Sequence, residues 1–193
     1  MKNATYIGNF KTLSNCNEIV SSIKNKRGHA KTAKKPYGKD VKLEKDLQSL
    51  VDKMFEDWGR AGYFDNNSVE WINFYPDKDF NRLLIEPLCR SLKFTPKNIW
   101  ISSIKPGRCV PRHFDIETES QSWRKEGTLV RYSLFLDEPA IGHVFILKDE
   151  CFHMCEQGDV YKWKVWDEYH IGVNVGFEQK YMMHLVGIES NEV

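Results

Sequence analysis

The segment Pro106-Gly107-Arg108-Cys109-Val110-Pro111-Arg112-His113-Phe114-Asp115 sets an imidazole and a carboxylate two residues apart. On an extended strand, residues i and i+2 point to the same side, so His113 and Asp115 can reach one metal ion together. A facial site of two histidines and one carboxylate needs a second imidazole from elsewhere and leaves positions open for a co-substrate and O2. The pair alone does not specify such a site, because H-x-D recurs by chance and surface His–Asp pairs are commonly structural. His170, which opens the segment His170–Val175, is one candidate for the third ligand. His184 is another: it lies in the apolar run Lys180–Ile188, opposite His170 if the chain turns near Phe177. Cys151-Phe152-His153-Met154-Cys155 could begin a zinc site, but closed zinc sites take four ligands in paired spacings and no second Cys/His cluster stands nearby. It reads as a loop with buried thiols.

Beyond the H-x-D pair comes an ordered series: Gly158-Asp159-Val160-Tyr161-Lys162-Trp163, Trp166, His170-Ile171-Gly172-Val173-Asn174-Val175-Gly176 and Lys180-Tyr181-Met182-Met183. From about Ile99 to Ile188 the chain resembles the 2-oxoglutarate- and Fe(II)-dependent oxygenases. The resemblance implies that His113, Asp115 and His170 ligate iron. It also implies that a basic residue ten positions after His170, here Lys180, grips the distal carboxylate of 2-oxoglutarate. Arginine is the commoner residue there, binding a carboxylate with a planar fork where lysine offers a point charge. Leu129-Val130-Arg131-Tyr132-Ser133-Leu134 resembles the arginine-bearing strand of the aspartyl/asparaginyl hydroxylase branch, which adds Arg131 and Ser133 as oxoacid-binding candidates. The other reading of Arg131 is a surface cation on an alternating strand. Asn174, four residues beyond His170 on the same strand face, could orient that histidine, bond the oxoacid carboxylate or cap a turn.

The cofactors implied are Fe(II), 2-oxoglutarate and O2, and the implied activity is a dioxygenase hydroxylating an amino acid or a peptidyl side chain. Two other readings stand beside it. A cupin-like metal-binding barrel without oxygenase activity would keep the three ligands and not need Lys180. A nucleic-acid-modifying dioxygenase would use the basic stretch Lys24–Lys45, where nine lysines and arginines meet only Asp40 and Glu44. That stretch otherwise reads as a solvated loop. The net charge of +1 supplies no general pull toward nucleic acid or membrane.

The elements that must position these residues change character along the chain. Asn15 or Asn17 can cap a short helix carrying Ile19, Val20 and Ile23, which the Gly28–Gly38 stretch ends. From Val41 to Gly59, apolar residues at three- and four-residue steps (Leu43, Leu47, Leu50, Val51, Met54, Phe55, Trp58) form an amphipathic helix. A strand over Val69–Tyr75 and a helix over Asp79–Leu92 follow. Ile99–Ile104, Thr128–Leu136, His143–Leu147, Asp159–Trp163, His170–Val175 and Lys180–Ile188 are short β-branched and aromatic runs separated by turn residues. This is an α+β pattern ending in an antiparallel barrel or jelly roll. The resemblance makes it a double-stranded β-helix, cupin-like, buttressed by N-terminal helices. We expect one domain over 1–193, with 1–95 mainly helical support and 96–190 the barrel core. Glu117–Gly127 reads as a flap beside the metal motif.

The five cysteines, an odd number in a chain opening without an apolar signal stretch, point to reduced thiols and a cytoplasmic setting. No apolar run approaches the roughly 20 residues that cross a bilayer.

Overall fold

The computed structural model describes residues 4–24, 26–33, 45–65, 67–77, 85–115, 122–123, 125–164 and 168–189. Most of the basic stretch, most of Glu117–Gly127, Asp79–Leu84 and Trp166 lie outside the described residues.

The short runs pair into two antiparallel sheets. The strands are β1 (Ala4–Asn9), β2 (His29–Thr32), β3 (Glu70–Phe74), β4 (Phe94–Ile104), β5 (Arg108–His113) and β6 (Thr128–Phe135). β7 (His143–Leu147), β8 (Glu150–His153), β9 (Asp159–Lys164), β10 (His170–Asn174) and β11 (Lys180–Glu189) complete them. The larger sheet has the order β1-β9-β6-β11-β4-β3-β2, and the smaller one β5-β10-β7-β8. From β4 onward the described residues form eight strands divided between them, with β4, β6, β9 and β11 in one and β5, β7, β8 and β10 in the other. That is the double-stranded β-helix, a jelly roll of two facing sheets.

Period-two alternation sorts the side chains of the larger sheet. On β11, Tyr181, Met183 and Leu185 join Ile19, Ile23, Leu88 and Cys89 in a core beneath helices α2 (Cys16–Lys24) and α4 (Glu86–Ser91). The intervening Met182 packs with Phe135, Phe145, Leu147 and Trp163, residues drawn from both sheets, and so lies between them. Lys180 and His184 share the parity of Met182, as Arg131 and Ser133 share that of Phe135 on β6. The helix α3 (Lys45–Arg60) buries Val51, Met54 and Trp58 against Val69, Trp71, Val110 and Phe114. Its Trp58 indole N–H donates to the Arg112 carbonyl at 2.7 Å, bracing the end of β5 beside His113. A single turn, α1 (Lys11–Ser14), precedes α2 and ends at Asn15, whose φ of 42° is left-handed.

The N-terminal half, expected to be mainly helical, also supplies β1, β2 and β3 to the larger sheet. β1 carries little periodic signal, since only Ala4 is buried along it, and its pairing with β9 is a long-range event. All five cysteines are free thiols. Among the described residues no helix is long and apolar enough to cross a membrane.

Candidate metal centre

β5 ends at His113 and β10 begins at His170, and the two residues face each other across the antiparallel ladder. Their ring centroids are 4.1 Å apart. Asp115, two residues past His113, turns back to both: Oδ1 lies 3.6 Å from His113 Nε2, and Oδ2 lies 3.1 Å from His170 Nε2. One donor atom from each of the three falls within 4.8 Å of the others. The convergence comes from cross-strand register, which local spacing does not encode.

Each imidazole is oriented by backbone. Nδ1 of His113 lies 2.8 Å from the Pro111 carbonyl, and Nδ1 of His170 lies 3.2 Å from the Glu168 carbonyl. A carbonyl only accepts, so Nδ1 carries the hydrogen and a neutral ring presents its Nε2 lone pair. Burial, reinforced by the neighbouring His113, pulls the His170 ring down to about 4, so it is neutral near pH 7. A lone pair then faces an anionic carboxylate oxygen, and a cation set among the three groups satisfies all of them. Two nitrogen donors and one oxygen donor fit Fe(II), with second partners already holding the rings.

Arg131 is a buried cation and not a surface one, at 1% exposure. Its guanidinium ion-pairs with Asp115 Oδ2. It lies between two indoles, 4.6 Å from the Trp163 ring centroid and 5.1 Å from that of Trp100. Burial alone would raise the Asp115 carboxyl, but Arg131 and His170 beside it hold it well below the usual carboxylate range. The aspartate is therefore ionised and fixed in place. The Ser133 hydroxyl accepts from the Trp163 indole at 2.9 Å and bonds His184 Nδ1 at 3.1 Å. His184 also stacks on Trp100, with centroids 5.1 Å apart. It faces the same interior as His170, yet it is not one of the three converging donors.

Lys180 sits four residues before His184 on the same face of β11, roughly 13 Å along the strand. It is only 2% exposed, and its ammonium donates to the Val144 carbonyl on β7, in the opposite sheet. Burial lowers Lys180 to about 7, opposed by Asp137. Asp137 itself is pushed up to about 7 by burial, while accepting from the Tyr181 N–H at 2.5 Å. Asn174 donates to the Ile104 and Glu178 carbonyls at 2.8 and 2.7 Å and accepts from the Gly176 N–H at 3.0 Å. Of the three roles open to it, these bonds match the turn cap. The turn is packed tightly: a Cβ on Gly142 would meet the Gly176 nitrogen at 2.2 Å.

Trp100 and Asp137 were not singled out from sequence. Parity along the strand Ile99–Ile104 does not mark Trp100, because both faces of the strand carry apolar residues and both are buried, and Asp137 reads only as a turn residue.

No protein-family model matches the chain, and no curated protein matches it. Solved structures do. A viral collagen prolyl hydroxylase from Paramecium Bursaria Chlorella virus-1, in complex with 2OG, is 12% identical and aligns over 98% of this chain and 97% of its own, with a TM-score of 0.49. An oxidoreductase of the 2OG-Fe(II) oxygenase family from Burkholderia pseudomallei is 9% identical over 90% and 93%, at 0.41. A predicted oxalate decarboxylase from Thermotoga maritima is 14% identical over 62% and 81%, at 0.37. At these identities the likeness is one of chain course and assigns no residue a role.

Proposed function

We propose that the chain is an Fe(II)- and 2-oxoglutarate-dependent oxygenase that hydroxylates an amino acid or a peptidyl side chain. One observation carries the reading: His113, Asp115 and His170 aim donors at a common point, in an interior that also holds the buried cation of Lys180. In this proposal the two imidazoles and Asp115 hold the metal on one face. Arg131 keeps the Asp115 carboxylate ionised and aimed, Ser133 fixes the neighbouring His184 ring, and Asn174 shapes the turn that delivers Lys180. Lys180 neutralises the distal carboxylate of 2-oxoglutarate. Phe145, Met182 and Trp163 form an apolar wall that excludes water. Fe(II), when bound, supplies the O2 chemistry that couples decarboxylation of 2-oxoglutarate to oxidation of the substrate.

The test is succinate release. The full chain is loaded anaerobically with Fe(II) and 2-oxoglutarate and then exposed to air. Succinate should form in step with 2-oxoglutarate consumed, slowly even without a primary substrate. Metal binding with no succinate above the protein-free background would overturn the oxygenase reading and leave a metal-binding barrel.

A further inference from the structure

We propose that Trp163 and Tyr6, bridged by Tyr161, relay an oxidising equivalent from the metal ligands to the protein surface; the proposal rests on the oxygenase reading. The relay begins at a ligand, since the Trp163 ring meets that of His170 edge-on, with centroids 5.0 Å apart. Tyr161 lies two residues before Trp163 on β9. Trp163 belongs to the core between the sheets and Tyr161 packs against it, whereas the intervening strand face, marked by Val160, joins the helix-side core. The α-carbons of 161 and 163 are therefore roughly 6.6 Å apart on one strand face. Tyr6 stands directly opposite Tyr161 across the β1–β9 ladder, with ring centroids 5.3 Å apart. Tyr6 is 53% exposed, so the series ends in solvent.

Two properties set this series apart from ordinary core packing. Its ends are an indole and a phenol, which lose an electron far more readily than phenylalanine does. The outer end also has a proton acceptor in place, because the Tyr6 hydroxyl donates to Asp159 Oδ1 at 3.1 Å. These ends differ in a way that drives the equivalent outward. Arg131 lies 4.6 Å over the Trp163 ring, and its charge disfavours a positive hole on that indole. Tyr6 sheds its proton with its electron, so no charge accumulates there. When O2 is consumed and no substrate is present, Trp163 gives one electron to the oxidised centre. Tyr6 refills Trp163 through the Tyr161 ring, passes its phenolic proton to Asp159, and is left a neutral phenoxyl radical. Asp159 returns the proton to water. A soluble enediol or thiol then donates a hydrogen atom to the phenoxyl oxygen, which restores the phenol and leaves the reductant oxidised by one electron. Neither the metal ligands nor the core is consumed.

The full chain, loaded anaerobically with Fe(II), is oxidised by two routes: air after addition of 2-oxoglutarate, and stoichiometric hydrogen peroxide without it. Rapidly frozen samples are read by electron paramagnetic resonance, and aged samples by peptide mass spectrometry. The wild type should show a tyrosyl radical whose lines narrow when its tyrosines are ring-deuterated. Tyr6→Phe, which alters only an exposed ring, should lose that radical, and oxygen addition at Trp163 and His170 should rise severalfold. Trp163→Phe should lose the radical as well, whereas Trp163→Tyr, which keeps an oxidisable ring, should retain it. Ascorbate should quench the wild-type radical and lower oxidation at Trp163 and His170, and should give no such protection to Tyr6→Phe. Fe(II) retained with no tyrosyl radical by either route overturns the relay, as does a Tyr6→Phe chain with the wild-type radical and the wild-type pattern of oxidation. Succinate without a radical leaves the oxygenase reading standing and the relay overturned. A radical from peroxide with no succinate from 2-oxoglutarate supports the relay and overturns the oxygenase reading. A chain that retains no Fe(II) overturns both.

Discussion

Replacing Lys180 with methionine is expected to stabilise the protein and weaken 2-oxoglutarate binding at the same time. The ammonium is 2% exposed, and burial moves the group from 10.5 to about 7. A displacement of that size corresponds to about 5 kcal/mol disfavouring the charged form. Methionine keeps the length of the stem and has no charge to desolvate, so we expect a gain of about 1–4 kcal/mol near pH 6. The sign follows from proton counting. Between about 7 and 10.5 the unfolded chain holds a proton on Lys180 that the folded chain has released. Wild-type stability should therefore rise with pH across that window, and the variant should lack the rise. The gain from methionine is then largest below pH 7 and vanishes near the top of the window. Ligand binding moves the other way. A charge-assisted hydrogen bond contributes roughly 1.5–3 kcal/mol, so the variant should bind 2-oxoglutarate roughly 10–150-fold more weakly. Denaturant melts from pH 6 to 10 read the first effect, and calorimetric titration of 2-oxoglutarate into Mn(II)-loaded protein reads the second. A variant less stable than wild type at pH 6, or one that binds 2-oxoglutarate within threefold of it, refutes the reasoning.

Three further outcomes follow from the same geometry. His170→Ala should weaken Mn(II) binding by at least about a hundredfold, while His184→Ala keeps it within about threefold and loses roughly 1–3 kcal/mol of stability through the abandoned Ser133 bond; calorimetry and melts separate the two, and the reverse pattern would move the third ligand to His184. Arg131→Met removes the buried partner of Asp115 and should lower stability by about 3–5 kcal/mol, with metal affinity falling about 10–100-fold, as denaturant curves and Mn(II) titration will tell. Asp137, raised by burial from 3.8 to about 7, keeps a proton in the folded chain that the unfolded chain has lost across that window, so wild-type stability falls as pH rises through it. Asp137→Asn should flatten the fall, seen by comparing melts at pH 4.5 and 8.

The strands of the second half were legible because β-branched and aromatic runs sit between turn residues. His143–Leu147 has the bounds expected of it, and Lys180–Ile188 differs by one residue at its end. Helices α2 and α3 announced themselves by spacing, with Ile19, Ile23, Val51, Met54 and Trp58 all buried. β1 and β2 were missed because their partners, β9 and β3, lie far along the chain and neither strand has a buried face that alternates. In the site, H-x-D was visible as a spacing, but only the ladder between β5 and β10 sets His170 against His113. Arg131 was visible as a basic residue on a strand; its enclosure between Trp100 and Trp163 depends on neighbours from β4 and β9, so its partner could not be read.

β11, the last described strand, runs between β4 and β6 through the middle of the larger sheet. During synthesis β4 and β6 leave the ribosome long before the segment that joins them. Until residues 180–189 emerge, each has an open edge along one side, and the helix-side core lacks Tyr181, Met183 and Leu185. Nascent chains are thus exposed to edge-to-edge association from the emergence of β4 until that of β11, and assembly waits on contacts of long sequence separation. Shielding of those edges on the ribosome should therefore raise the yield of folded protein.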